Sequence, residues 1–248
     1  MTFAAPPAVR SELAPTGRLR VGINYGNFLL VAKDAQSGET RGIAFDIATE
    51  LARRLDLAFE IVAYKGAGEM ADAAKAGAWD VAFLGAEPAR ANDIAFTPAY
   101  LEIPSGYLVP AGSPIRSIAE VDRDGVRIAA AAKSAYDLYL ARSLKRATIV
   151  RAQGIDASYD LFVKEKLDAL AGLKPRLVSD AEKLPGARIL EGSFTAIQQS
   201  IGTPKSRLSG ANYLREFVED AKASGLVARA IEKHKVRGVN VAPPAAGG

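Results

Sequence analysis

The sequence contains no cysteine, which removes disulfides, thiolate metal sites and cysteine nucleophiles together. It has a single histidine, His234, in the charged stretch Glu232-Lys233-His234-Lys235 near the C-terminus. Neither a multi-histidine metal site nor a Ser/His/Asp triad in a central cleft is easily built from that, and His234 reads as a surface residue near a helix end. No stretch approaches the roughly 20 apolar residues of a membrane span. The start, Met1-Thr2-Phe3-Ala4-Ala5-Pro6-Pro7, lacks a basic segment followed by a long apolar one. A signal peptide is therefore not written in this sequence: either it was removed or the protein is not exported. An excess of one charge sign is also lacking, because 32 Lys and Arg against 28 Asp and Glu give a formal charge of +4. The closest basic groupings, Arg142 with Lys145 and Arg146, and Lys233 with Lys235 and Arg237, are interrupted by apolar residues. They read as solvated helix faces, and nucleic acid is not expected as a partner.

What is present is ordinary soluble-protein chemistry. Of 248 residues 49% are hydrophobic and 24% charged, enough to bury a full core in one large domain or two modest ones. After a polar, proline-containing lead, Leu19-Arg20-Val21-Gly22-Ile23 reads as a strand running into a loop at Asn24-Tyr25-Gly26-Asn27. Ile43, Ile47, Leu51 and Leu55 recur every four residues, which predicts a helix over 43–55 with one buried face. Leu57–Tyr64 reads as a strand, Ala71–Ala76 as a short helix and Asp80–Leu84 as a buried parallel strand. After a break at Gly112-Ser113-Pro114 the grammar repeats, with strands over 126–130, 148–150 and 168–172 and helices over 136–144 and 158–166. Two α/β units with largely parallel sheets follow, and ligands of such sheets sit beyond the carboxyl ends of the strands. Two extended segments, Glu102–Pro110 and Phe194–Gly202, read as paired crossings, and closing helices are expected over 212–223 and 226–233. The lobes are expected to be 18–105 plus 200–240 and 106–199, after an N-terminal extension at 1–17.

Over Leu19–Lys235 the sequence resembles the family-3 extracellular solute-binding proteins, the polar amino-acid ABC importer components of type II periplasmic-binding fold. The resemblance rests on Leu19-Arg20-Val21-Gly22, on Arg41-Gly42-Ile43-Ala44-Phe45-Asp46-Ile47-Ala48 and on Trp79-Asp80-Val81-Ala82-Phe83-Leu84. Most specific is Glu87-Pro88-Ala89-Arg90 followed by Ile94-Ala95-Phe96-Thr97-Pro98-Ala99-Tyr100, similar to the family's arginine motif with its downstream Phe-[Ser/Thr]-x-x-Tyr. It implies an α/β protein of two Rossmann-like lobes joined by paired hinge segments. It implies a monomer without metal or cofactor that closes on a small carboxylate or amino acid in the periplasm and delivers it to an ABC permease.

The resemblance implies that Arg90 holds the ligand carboxylate, a task suited to a planar guanidinium that grips bidentately and keeps its charge when water is excluded. The alternative is an ion-pair role on a surface loop. The family's aromatic platform maps to Tyr25 and Phe28, which flank Asn27; Phe28 also reads as core because Leu29-Leu30-Val31 follows it. In the second lobe Lys133-Ser134-Ala135-Tyr136 falls where the family has a small-residue turn feeding a helix. Ser134 with Asp137 reads as an N-cap pair, and the exposed amides there suit an anion.

Several departures bear on the ligand. The turn carries Lys133 and Ala135 where relatives have a glycine and a second hydroxyl. Amino-acid binders of the family place an acid after the strand 168–172 to hold the ammonium, whereas this chain has Leu173-Lys174-Pro175-Arg176. A free α-amino group would meet cations there. The segment from Asp80 to Arg90 is a couple of residues short, which puts backbone contacts from Gly85 and Ala86 in doubt. Glu69, after a glycine turn, can accept an ammonium or simply favour a helix N-terminus. The expected ligand is a small carboxylate-bearing metabolite, with an α-amino acid as the competing reading. Two further functions are open. One is a cyclohexadienyl-dehydratase-like enzyme with Glu69 or Glu87 as general acid, although no nucleophile-base pair is present. The other is a soluble ligand sensor outside transport.

Overall fold

The computed structural model describes residues 5–245, so Met1–Ala4 of the expected N-terminal extension lie outside the described residues. In chain order the elements are α1 (Pro7–Leu13), β1 (Leu19–Asn24), β2 (Ala32–Lys33), β3 (Thr40–Arg41), α2 (Ile43–Leu55), β4 (Phe59–Tyr64), α3 (Ala67–Asp72), β5 (Val81–Gly85), β6 (Ile94–Phe96) and β7 (Leu101–Val109). Then come β8 (Arg127–Ala131), α4 (Ala135–Ser143), β9 (Thr148–Ala152), α5 (Ile155–Lys164), β10 (Ala169–Leu173), α6 (Lys174–Ala181) and β11 (Arg188–Ile189). The chain closes with β12 (Thr195–Pro204), α7 (Leu208–Ala223), α8 (Leu226–Lys233) and β13 (Asn240–Val241). It divides into two compact units, one running to Glu102 and resuming at Gln198, the other spanning Ile103–Ile197.

In the first unit β1 is central. It pairs in parallel with β4, Leu19 opposite Phe59 through Asn24 opposite Tyr64, and with β5, Val21 opposite Val81. β12 adds antiparallel to β5, with Gln199 opposite Gly85. The alternating apolar residues of β1 are buried because helices cover the sheet: Ile43, Ile47, Leu51 and Leu55, one face of α2, are wholly inside. Gly42 starts that helix at φ 134, where a Cβ would collide with the Leu30 carbonyl and stand 2.7 Å from Val31 Cα; only glycine fits. Trp79 is fully buried beside Met70 and donates its indole N–H to the Met70 carbonyl at 2.8 Å.

The sequence reading differs from the structure in several elements, and α7 begins at Leu208 rather than at the expected 212. The lead before Leu19 contains α1, which Pro7 opens at the helix start and whose Val9 and Leu13 are buried. Leu13 packs on Gly210 of α7, and Glu12 accepts the Gly210 N–H at 2.8 Å. The short helix expected at 71–76 lies earlier, at Ala67–Asp72, because Gly66 begins it in an extended conformation and the Ala/Gly run offers no apolar contrast to mark its end. In the second unit, whose strand order is β7-β10-β8-β9, α5 begins three residues before expectation, directly after Gly154 at φ 98. That unit also holds α6, absent from the sequence reading, which packs Leu177 with Leu170, Phe162 and Leu108.

Candidate functional site

In the first unit β4, β1 and β5 are parallel, so Tyr64-Lys65, Tyr25 and the Gly85–Arg90 segment all emerge at carboxyl ends of adjacent strands. This edge is where ligands of α/β sheets bind. After β1 the chain makes a tight turn. Asn24 Oδ1 accepts the Gly26 N–H at 2.9 Å, and the Tyr25 N–H donates to the Tyr64 carbonyl at 2.9 Å. Asn27 is buried and builds the next turn, its Oδ1 accepting from Leu29 N–H at 3.3 Å and its carbonyl from Leu30 N–H at 3.1 Å. Phe28 is 46% exposed, so it is outside the core despite the apolar run that follows it. Tyr25 is steadied by a 2.6 Å hydrogen bond between its hydroxyl and Thr40 Oγ1. Tyr25 and Phe28, with Tyr64, line a groove of about 540 Å³.

Arg90 ends a 3-10 turn, Pro88–Arg90, and is only 5% exposed. Nη1 donates to the Gly85 carbonyl at 2.6 Å, which ties the guanidinium to the end of β5. Burial lowers its pKa to about 10, while the nearby Glu87 and Asp72 carboxylates oppose that shift. Arg90 thus keeps its charge at neutral pH in a setting where water screens little, and it is a buried residue with carboxylates nearby rather than a surface one. The Gly85 carbonyl is used by Arg90, and the Ala86 N–H donates to the Gln198 carbonyl at 2.8 Å. Glu69 is exposed in the first turn of α3, and its Oε2 accepts the Lys65 N–H at 3.2 Å. That contact is the helix-start geometry.

In the second unit Ser134 caps α4. Its hydroxyl accepts the Asp137 N–H at 3.1 Å, and Asp137 Oδ2 accepts the Lys133 N–H at 2.8 Å, a reciprocal pair that closes the turn. Lys133 sits at φ 54, a left-handed conformation that this hydrogen bond supports. Asp137 is buried and also takes Arg151 Nε at 2.8 Å. Ala135 and Tyr136 are buried, and burial pushes the Tyr136 hydroxyl up to about 12. Of this turn, Lys133 is exposed and Ser134 half-buried.

Lys174 is the first residue of α6, which follows β10 without a loop. Its Nζ donates to the Gly192 carbonyl at 2.8 Å, and its stem lies 3.3 Å from where a Gly106 Cβ would stand. Arg176, two residues on, pairs with Asp180 at 2.9 Å and Asp156 at 2.7 Å. The structure brings Tyr25 and Phe28 into one groove, ties Arg90 to Gly85, and clusters Lys133, Ser134, Ala135 and Tyr136 at one helix start. Sequence reasoning missed Tyr64, Lys33 and Lys65 on the groove; the rule that ligands sit at parallel strand ends, applied to β4, would have pointed to Tyr64 and Lys65. Among the described residues no group of His, Cys, Asp or Glu is arranged to hold a metal, and no helix is long and apolar enough to cross a membrane.

The sequence profile of the bacterial extracellular solute-binding proteins, family 3, matches residues 19–236. No curated protein matches the sequence significantly. Among solved structures the solute receptor for L-cysteine of Neisseria gonorrhoeae is similar at a TM-score of 0.77 and 20% identity, covering 92% of this chain and 95% of that one. An amino acid ABC transporter substrate-binding protein of Streptococcus pneumoniae bound to L-arginine gives 0.75 at 16% identity, covering 96% and 100%. An ancestral amino acid-binding protein, a precursor of cyclohexadienyl dehydratase, gives 0.75 at 20% identity, covering 90% and 98%. These likenesses show the fold, the mixed α/β architecture of the type II periplasmic-binding proteins.

Proposed function

The chain belongs to the bacterial extracellular solute-binding proteins of family 3, and on that premise we propose that it captures a small carboxylate-bearing metabolite for an ABC importer. We place it outside the cytoplasm, as a monomer that hands its ligand to a permease, with lobes at 18–105 plus 200–240 and 106–199. As a solute-binding protein it holds its ligand rather than converting it.

The observation that carries the ligand class is Arg90. A charged guanidinium that is 5% exposed, tethered at the end of β5 by the Gly85 carbonyl, is a pre-positioned carboxylate grip. Tyr25 and Phe28 supply apolar surface for the ligand body, with Asn27 shaping their turn. Lys133 and the capped turn at Ser134, Ala135 and Tyr136 add positive potential and helix-start amides. Gly85 and Ala86 contribute by shaping the backbone beside Arg90, since the Gly85 carbonyl and the Ala86 N–H are already hydrogen-bonded.

The amino-acid reading is favoured by solved relatives that take cysteine, lysine or arginine. Against it stands the position after β10, where Lys174 and Pro175 offer no acid for an ammonium. Glu69 is the remaining acid for that role, and its Oε2 is engaged with the Lys65 N–H. The test is calorimetry on protein unfolded and refolded to strip bound ligand, against amino acids and the matching acids without the amino group. Carboxylate binding that falls at least about tenfold in Arg90→Ala, with the fold intact by circular dichroism, is the expected result. Unchanged affinity removes Arg90 from the site, and binding confined to amino acids means that Glu69 or another acid holds the ammonium.

A further inference from the structure

The groove beside Tyr25 carries charge that the carboxylate reading does not use. Its walls are the rings of Tyr25, Phe28 and Tyr64, and its lining includes two lysines, Lys33 of β2 and Lys65 at the end of β4. Lys33 Nζ lies over the Tyr25 ring, 5.3 Å from its centroid. Both lysines are exposed, and among the described residues neither ammonium has a carboxylate partner. Glu69, the acid of the adjoining turn, bonds the Lys65 backbone and is not part of the lining. An apolar trough with two unneutralised cations is a site for a ligand that ends in an anion.

The topology relates this groove to Arg90. β1 lies between β4 and β5, so the end of β4 that bears Lys65 and the end of β5 that leads to Arg90 are two strand spacings apart, about 10 Å. A ligand whose carboxylate meets Arg90 therefore reaches Lys65 and Lys33 only with an extended body, which the Tyr25 and Phe28 rings can cover. We propose that the preferred solute is an elongated dianion, with one carboxylate at Arg90 and a second acidic group at Lys33 and Lys65. This rests on the Arg90 reading and adds to it the length and second charge of the ligand.

Suberate and octanoate share an eight-carbon chain and differ in the second carboxylate, and succinate has two carboxylates without the length. Calorimetry on the ligand-stripped full chain should give suberate at least about tenfold tighter binding than either. In Lys33→Gln/Lys65→Gln suberate should fall to within about twofold of octanoate. A suberate affinity no greater than that of octanoate, or a preference that survives the double substitution, overturns the proposal. If octanoate binding is lost in Arg90→Ala while suberate shows no advantage, the dianion fails and the carboxylate reading stands. If neither acid binds the wild type, the elongated dianion fails, and the Arg90 reading stands or falls on the shorter acids and the Arg90→Ala comparison above.

Discussion

Arg207 closes on Asp80 across 127 residues of sequence, its Nη1 lying 2.6 Å from Oδ1. Arg20 grips the same wholly buried carboxylate, its Nη2 2.8 Å from Oδ1 and its Nε 3.0 Å from Oδ2. The Arg20 N–H also donates to Oδ2 at 2.9 Å, and Thr203 Oγ1 donates to the Asp80 carbonyl at 2.9 Å. Asp80 thus joins β1 and the lead into α7 through its carboxylate, and the end of β12 through its backbone carbonyl, at the start of β5 within the first unit.

Removing that charge leaves two arginines facing a neutral amide in a water-poor place. Asp80→Asn should cost about 3–5 kcal/mol of stability, the range for breaking a buried ion pair from one side. Urea unfolding at neutral pH measures it. A loss under about 1 kcal/mol would mean that water compensates the arginines and the pair is not a stability element.

A second carboxylate makes stability depend on pH. Glu50 of α2 is held to about 2, below its ordinary 4.5, first by hydrogen bonding to Arg53 and also by Arg54. The contacts are 2.7 Å and 2.8 Å. A depressed folded-state value stabilises the fold above the unfolded value and loses that contribution as pH falls from about 4.5 through about 2. Allowing for solvent screening, Glu50→Gln should be about 1–2 kcal/mol less stable than wild type at pH 7, and the gap should close near pH 2. Denaturant midpoints of both proteins across that window give the answer, and a gap independent of pH would assign the effect to packing.

The Ser134 cap separates a folding role from a binding one. Ser134→Ala removes the acceptor of the Asp137 N–H while Asp137 still holds the Lys133 N–H. A loss of about 1 kcal/mol in thermal unfolding is expected. Ser134→Asp restores the acceptor, and it should recover stability while weakening carboxylate binding through like charge. Recovery of both properties would place the ligand away from this turn.

Elements with strong local contrast were legible in the sequence. The four-residue recurrence of Ile43, Ile47, Leu51 and Leu55 marks α2 at the same end residues that the structure has, and 226–233 matches α8 likewise. α6 was not legible because Lys174-Pro175 reads as a break after a strand, although proline in a first turn is also a helix start. At the site, the motif around Arg90 was visible, but its tether to the Gly85 carbonyl and the carboxylates of Glu87 and Asp72 near it depend on the turn after β5. Lys33, Tyr64 and Lys65 share no local pattern. They meet because β4 pairs with β1 and the β2–β3 hairpin follows the Tyr25 turn, a long-range outcome that no short window encodes.

The position after β10 tests whether the ligand carries an amino group. Lys174 opens α6 and is anchored to the Gly192 carbonyl, so its charge is fixed rather than free to swing away. A glutamate at a helix first turn is favoured by the helix dipole, and Lys174→Glu should fold at the cost of the Gly192 hydrogen bond. It turns a site hostile to ammonium into one that attracts it. Leucine and 4-methylpentanoate differ only by the amino group, and the ratio of their affinities cancels any general weakening of the site. That ratio should move toward leucine by at least about tenfold in Lys174→Glu. An unmoved ratio would mean that Lys174 does not face the ligand's α-carbon, and that selection against ammonium lies elsewhere or does not occur.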